Sequence, residues 1–380
     1  MTIFWQCLAL FALAWVFFAF AGYPLSLSLL ARIRKNPVQR EAASDVASPT
    51  LSVIIAVYNE AGRLATKLED TLALDYPDTF QIIVASDSSA DESDAIARSF
   101  EDRGVELIRL PERGGKEAAQ AAAIEAARGE VLVFTDVAAE LAPDALVELV
   151  RPFADPDVAC VSSEDRVRGE NGETAYVDME MKLRRLESDL GSIIGASGSC
   201  FAIRAEIADP WPRNIPSDFR SALESIRRGR RAAVQPSAHA FFGSTRKPVD
   251  EWRRRVRTSM RGIAVLLGHL DLLHPRFGFP AYALWGHKVA RFTTPFALIL
   301  AFVACAAASP ESMLAKLGLA AQLGAYGLAS ATLAFAPLRK VKVFELAAFF
   351  LMVNSAIALA WIRIALGERT HLWEPTRREA

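Results

Sequence analysis

Cysteine is scarce in this 380-residue chain: Cys7, Cys160, Cys200 and Cys305 are the four, none in a Cys-x-x-Cys spacing. That argues against a disulfide framework and against a zinc site. The five histidines, His239, His269, His274, His287 and His371, do not cluster in sequence either. An excess of charge is missing as well, since 43 basic and 44 acidic residues leave a net charge of −1. A general nucleic-acid binder would show a basic surplus, so no nucleic-acid partner is expected. Disorder is excluded from the other side, because 52% hydrophobic residues are ample for a core.

Charge is absent altogether from residues 1–31. That run exceeds the roughly 20 residues a helix needs to cross a bilayer. Ala19-Phe20-Ala21 resembles a signal-peptide cleavage site, but no positive segment precedes the apolar run and it continues to Ala31. Arg32, Arg34 and Lys35 follow, which favours an uncleaved anchor with the next domain on the cytoplasmic side. Three more apolar segments run from Phe292 to Ser309, Met313 to Pro337 and Phe344 to Leu366, separated by short loops. Tyr282, Trp285, His287, Lys288 and Arg291 precede them in a mixture that suits a helix lying at a membrane surface. The last segment has Arg339, Lys340 and Lys342 before it and Arg369, Arg377 and Arg378 after it, so the charge rule leaves its orientation open. Asn354 and Arg363 within it leave open whether it crosses completely.

Between about residues 48 and 270 the pattern changes. Leu51 to Val57 is a nearly continuous apolar run, as in a strand covered on both faces. A helix to about Leu72 follows, then a strand over Gln81 to Ser86, a helix from Asp91 to Arg103, and a strand from Val105 to Leu110. An alanine-rich helix over Lys116 to Ala127 and a strand over Val131 to Thr135 complete the series. Strands alternating with helices predict an α/β, doubly wound sheet, which binds ligands beyond the carboxyl ends of its strands. Those ends carry Tyr58-Asn59-Glu60, Asp87-Ser88-Ser89 and Asp136, and Gly114-Gly115-Lys116 opens the helix after the third strand. Each is weak alone, and an aspartate after a strand is commonly a helix cap. Together, acidic residues and a Gly-Gly-Lys turn at a helix N-terminus point to a nucleotide site.

The ordered set of motifs resembles the membrane-embedded glycosyltransferases of family 2, with a GT-A catalytic domain. Val53 to Glu60 resembles the family's opening strand, Ser86 to Asp91 its second acidic motif, and Arg113-Gly-Gly-Lys116 its Gly-Lys turn. Phe134-Thr-Asp136 resembles the strand leading to its metal-binding motif, Ser217-Asp218-Phe219 its catalytic acidic motif, and Arg253 to Gly262 its arginine-rich helix. Gly195-Ala-Ser-Gly198 resembles its acceptor-binding turn, and Trp373 to Arg377 a tail motif of the membrane-bound members. The resemblance covers nearly the whole chain. It implies a GT-A-type doubly wound mixed sheet inserted between an N-terminal transmembrane helix and C-terminal ones. The expected boundaries are 1–35 for the anchor, 48–246 for the cytoplasmic catalytic domain, 247–291 for arginine-rich and interfacial helices, 292–366 for the membrane segments and 367–380 for the tail.

The resemblance also implies roles. Tyr58, Glu60, Asp87, Lys116 and Asp136 would bind a nucleotide-diphospho-sugar, most simply a UDP-sugar, with Asp136 the ligand of Mg2+ or Mn2+. Asp218 would deprotonate the acceptor hydroxyl, giving inversion at the anomeric carbon. Arg254 and Arg257 would stabilise the departing diphosphate, or else face anionic lipid. Gly195, Gly198 and Glu187 would meet the acceptor, a lipid-linked or growing glycan of cell-surface polysaccharide, at a bacterial inner membrane. Two departures stand out. Asp136-Val137-Ala138 lacks the second carboxylate of the Asp-x-Asp spacing, so the metal is held by one aspartate with phosphates and water, or is used less. Arg254-Arg-Val-Arg257-Thr258 lacks the glutamine and tryptophan of the processive polymerases. A synthase that also secretes its polymer, and a nucleotide-binding membrane scaffold without catalysis, are the alternatives.

Overall fold

The computed structural model describes residues 1–34, 36–38, 48–168, 172–243 and 248–368. Lys35, the boundary near residue 246 and the Trp373 to Arg377 tail motif lie outside these residues. The chain divides into two compact units: one of Met1–Ser26, Lys247–Leu266 and Leu284–Arg369, the other of Leu27–Arg246, Leu267–Ala283 and Thr370–Ala380.

In the second unit an eight-stranded sheet is built from β1 (Leu51–Val57), β2 (Gln81–Ser86), β3 (Val105–Arg109), β4 (Val131–Asp136), β5 (Glu140–Leu141), β6 (Val158–Arg168), β7 (Cys200–Arg204) and β8 (Arg231–Gly243). Their order across the sheet is β3-β2-β1-β4-β7-β6-β8-β5. The first four run parallel, β7 is antiparallel to both β4 and β6, β6 and β8 are parallel, and β5 is antiparallel to β8. β1 is buried along its whole length because both of its faces are covered. On one face Val53, Ile55 and Val57 pack with Leu64 and Leu68 of the helix Ala61–Leu72 and with Leu146 and Leu149. On the other, Ile54, Leu132 and Phe134 pack with Ala119 and Ala123 of the helix Lys116–Ala126 and with Ala222 of the helix Ser217–Arg227. A sheet sandwiched between helices is the doubly wound layering that the alternating pattern predicts.

Register aligns the strand ends. Ala56 pairs with Asp136 and Val57 with Ser86, so Tyr58, Asp87 and Asp136 emerge at one level. Thr135 pairs with Cys200 at the start of β7, which brings Ser199 to the same edge. The helix expected from Asp91 to Arg103 is shorter, Ser93–Arg98, with a separate 3₁₀ turn over Glu101–Arg103. Gly104, at φ +88°, closes that turn in the left-handed region open to glycine.

The first unit is helical. Among the described residues four helices, Thr2–Ile33, Phe279–Ala308, Met313–Ala334 and Lys342–Ala365, lying wholly or in part in this unit, are long and apolar enough to cross a membrane. The segment from Tyr282 to Arg291, expected as an amphipathic helix at the membrane surface, is part of the one helix Phe279–Ala308. The first two helices meet along small residues, Ala9 and Ala12 against Ala297, Ala301 and Ala304. Small side chains let helix backbones approach closely where lipid offers no hydrophobic drive. Tyr23 is fully buried, and a side chain at Gly286 would collide with its ring at 2.1 Å. The helix Pro248–Leu267 packs Val256, Met260 and Ile263 against Ala356 and Ala360.

Candidate functional site

The loops after β1 and β2 are laced together. Asn59 is left-handed at φ 52°, a conformation Asn tolerates better than most residues. Its side-chain oxygen accepts from the Ala90 N–H at 2.8 Å, and its own N–H donates to Ser89 Oγ at 3.2 Å. The Glu60 N–H donates to Ser93 Oγ (3.0 Å) and the Ala61 N–H to Asp91 Oδ2 (3.0 Å). Asp91 thereby satisfies a free donor at the start of the Ala61–Leu72 helix. Burial acts to raise the Asp91 pKa, but the hydrogen bonds from Ser93 and Ala61 outweigh it and hold the carboxylate below its ordinary value. Glu60 is raised, chiefly by burial against the opposing pull of Arg63, with Asp136 and Asp91 adding to the rise.

Asp87 is 1% exposed. Its Oδ1 accepts from the Gly114 N–H at 2.7 Å and the Gly115 N–H at 2.9 Å. Both glycines are required there: a Cβ on Gly114 would sit 2.8 Å from Ala118 Cβ, and Gly115 has φ +93°. The Gly-Gly turn, read from sequence as a phosphate cradle, spends these two N–H groups on Asp87 instead. Asp87 Oδ2 has no hydrogen-bond partner among the described residues, and Arg113 Nε lies 3.8 Å away. The Arg113 guanidinium stacks over the Tyr58 ring, 3.7 Å from its centroid. A buried acceptor left without a hydrogen bond, beside a flat cationic plate, suits a base or ribose that can donate.

Lys116 Nζ meets Asp136 Oδ1 at 2.5 Å. Burial pulls the Lys116 amine down, but Asp136, helped by Asp218 and Glu117, outweighs it and leaves it above its ordinary pKa. The same attraction ties Asp218 electrostatically to this pair. Asp136 sits at the end of β4, its N–H donating to the Ser199 carbonyl at 3.1 Å. Ala138 stands two positions on, where a second carboxylate would complete the spacing. Among the described residues no cluster of three or more His, Cys, Asp or Glu could by itself hold a metal. One hard carboxylate oxygen does fit Mg2+ or Mn2+ that keeps waters and takes its other ligands from substrate phosphates.

Asp218 lies in the first turn of the Ser217–Arg227 helix, where its Oδ1 accepts from the Phe219 N–H at 2.8 Å. Its carbonyl accepts from the Ala196 N–H at 3.2 Å, which fixes the Gly195 to Gly198 loop beside it. Gly198 permits this close approach: a Cβ there would lie 3.0 Å from Asp218 Oδ2, so the carboxylate would have to shift to admit it. Ser197 anchors the loop: its N–H donates to Ser162 Oγ (2.8 Å), and Arg184 Nη1 donates to its Oγ (2.8 Å). Gly195 is buried, and Glu187 is fully buried on the helix Gly172–Leu190, so neither offers a side chain at an open surface. Arg254 and Arg257 lie on the helix Pro248–Leu267, in the apolar unit.

One cation of this region escaped sequence reading. Lys67 is only 4% exposed, and its amine donates to Thr135 Oγ1 at 3.1 Å and to the Ala139 carbonyl at 2.6 Å. Burial pushes its pKa down to about 8. The available signal was its position on the buried stripe Leu64, Lys67, Leu68 and Thr71, where a lysine is out of place.

Residues 52–210 match the family Glycosyl transferase family 2. An N-acetylglucosaminyltransferase of Rhizobium meliloti (strain 1021) is 28% identical over 259 residues, 61% of this chain and 61% of that protein. The poly-beta-1,6-N-acetyl-D-glucosamine synthase of Staphylococcus aureus (strain MSSA476) is 22% identical over 262 residues, 66% of this chain and 63% of that protein. The chain thus spans less than two thirds of the length of these curated relatives. A mannosyltransferase from Pyrobaculum calidifontis, solved with GDP-Man and Mn2+, matches with a TM-score of 0.69 and 24% identity, covering 95% of this chain and 100% of that one. At that identity the likeness speaks to the fold, a GT-A-like mixed α/β sheet with apolar helices at both ends.

Proposed function

The chain carries a glycosyl transferase family 2 domain, and from that premise we propose that it transfers a sugar, with inversion, from a nucleotide-diphospho-sugar to a glycan acceptor. The donor is a UDP-sugar, and the acceptor is a lipid-linked or growing glycan of cell-surface polysaccharide. The catalytic domain spans residues 48–246 on the cytoplasmic side of a bacterial inner membrane, between the anchor at 1–35 and the segments at 292–366. Residues 247–291 carry the arginines and the membrane-surface helix, and 367–380 form the tail.

The observation that carries this reading is Asp87: one oxygen is fixed by two backbone donors and the other is buried without a hydrogen-bond partner among the described residues, near the Lys116–Asp136 pair. Asp87 Oδ2 accepts an N–H or O–H of the nucleoside, with Tyr58 and Arg113 flanking it and Glu60 near the ribose. Lys116 would pair with the diphosphate of the donor, and Asp136 would hold a divalent metal. When bound, that metal supplies positive charge to the diphosphate leaving group. Asp218 takes the proton of the acceptor hydroxyl as its oxygen bonds to the anomeric carbon, and the nucleoside diphosphate leaves with the bonding electron pair. Gly198 leaves room for the acceptor beside Asp218, and Gly195 and Glu187 shape the loop beneath it. Arg254 and Arg257 stabilise the charge that grows on the leaving group. The Pyrobaculum calidifontis mannosyltransferase, solved with GDP-Man and Mn2+, supports both the donor class and the use of a divalent metal.

A processive synthase is the second reading, favoured by similarity to the Staphylococcus aureus polymer synthase over 66% of this chain. Donor screening of the purified, detergent-solubilised protein tests the proposal. One nucleotide sugar should release nucleoside diphosphate, and adding acceptor should raise the rate. A single added sugar supports the first reading, a long polymer the second, and no release from any donor contradicts both.

A further inference from the structure

Lys116 meets the carboxylate of Asp136, whereas Lys67 meets the backbone that carries it. The Lys67 amine bridges Thr135 and Ala139, the residues just before and three after Asp136. Thr135 Oγ1 passes the interaction on to the Ser199 carbonyl at 3.0 Å, the same carbonyl that receives the Asp136 N–H at 3.1 Å. The Ala139 N–H closes the turn onto the Asp136 carbonyl at 3.1 Å. Four supports therefore hold the segment 135–139: pairing of Thr135 and Asp136 with β1, β7 through Ser199, the turn's own hydrogen bond, and Lys67, which among the described residues alone reaches Ala139 from a side chain. We propose that Lys67 is a positioning residue for Asp136, fixing the height and direction at which this lone carboxylate meets the donor diphosphate and its metal.

The chemistry favours this over a purely stabilising role. A buried ammonium is a poor source of stability, because desolvation consumes most of what its contacts return. Burial has already pushed the Lys67 amine down to about 8. A methionine of similar length would fill the same space without that cost, but it would leave the Ala139 carbonyl and the Thr135 hydroxyl without their donor. Where a site has two carboxylates, each limits the error of the other. With Ala138 in the second position, the angle of Asp136 alone sets the geometry, so its backbone support carries more weight.

The inference rests on Asp136 facing the diphosphate, and the test separates the two. UDP binding with Mn2+ present is measured by calorimetry on the full chain in detergent, for wild type, Lys67→Met, Asp136→Ala and the double variant. Lys67→Met should weaken UDP binding about 10- to 100-fold, the range for supports of metal ligands, while the melting temperature at pH 7 falls by no more than the loss of two buried hydrogen bonds explains. Added to Asp136→Ala, it should cost less than about twofold more, because both changes remove one geometry. Wild-type binding by Lys67→Met, or a fully additive loss in the double variant, overturns the role of Lys67 and leaves the site reading intact. Unchanged binding and transfer in Asp136→Ala overturns both. If Lys67→Met does not fold, Thr135→Val conserves shape and removes the hydroxyl. It should weaken UDP binding and show the same non-additivity, and wild-type binding by it overturns the inference.

Discussion

The all-parallel half of the sheet and the mixed half, which carries its antiparallel pairs, hold their carboxylates in opposite ways. On the parallel side Asp87 is buried, with one oxygen clamped by two glycine N–H groups, and Asp91 is clamped by Ala61 and Ser93. On the mixed side Asp218 receives one N–H bond, from the next residue in its own helix, and lies against a glycine. The difference matches the roles proposed for the two sides. A group that recognises a nucleoside gains from being fixed before the ligand arrives. A group that takes a proton needs an oxygen free to meet a hydroxyl. Asp136 stands at the seam between the halves, where β4 pairs with β7, and Lys67 bonds to Thr135 and Ala139 on either side of it.

Three substitutions would break or sharpen this contrast. Asp218→Asn keeps the shape of the carboxylate on the mixed side and removes its basicity. Turnover should fall about 10²- to 10⁴-fold, with UDP affinity within about twofold of wild type, read by nucleotide release and calorimetry. Asp87→Asn can keep an oxygen for Gly114 and Gly115 and turn the acceptor left without a hydrogen bond into a donor. UDP affinity should drop by about 1.5–3 kcal/mol, while the melting temperature stays near wild type. Gly198→Ala has the smallest effect, because the new methyl at 3.0 Å displaces only the Asp218 carboxylate. Turnover should fall about tenfold with donor affinity unchanged, since misplacing a reacting group by a fraction of an ångström costs rate before binding.

The same division explains what the sequence made legible. β1 and β2 fall on Leu51–Val57 and Gln81–Ser86, as their apolar runs predict, because parallel strands covered on both faces carry few polar residues. Asp87, Lys116 and Asp136 were readable because such strands end at one level. β6 and β8 carry no such signal. β6 buries Ser162, Ser163 and Glu164, satisfied by the Ser197 N–H, the Cys200 carbonyl and Arg185, so its polarity conceals a strand at the centre of the mixed half. The partner of Gly114 and Gly115 was hidden for another reason: a helix N-terminus suits phosphate and carboxylate alike, and Asp87 lies 27 and 28 residues away in sequence. Lys67 was hidden because a cation on a buried helical stripe reads as an error of period until its partners are seen.

The most direct test of the central claim sets Asp87→Asn and Asp218→Asn side by side, measuring UDP affinity and nucleotide release in one lipid or detergent preparation. The account predicts a crossed pattern. Asp87→Asn loses affinity and recovers turnover at high donor concentration, whereas Asp218→Asn binds UDP as wild type does and turns over almost nothing. Equal losses of affinity and turnover in both variants would contradict a division of labour between the two halves of the sheet.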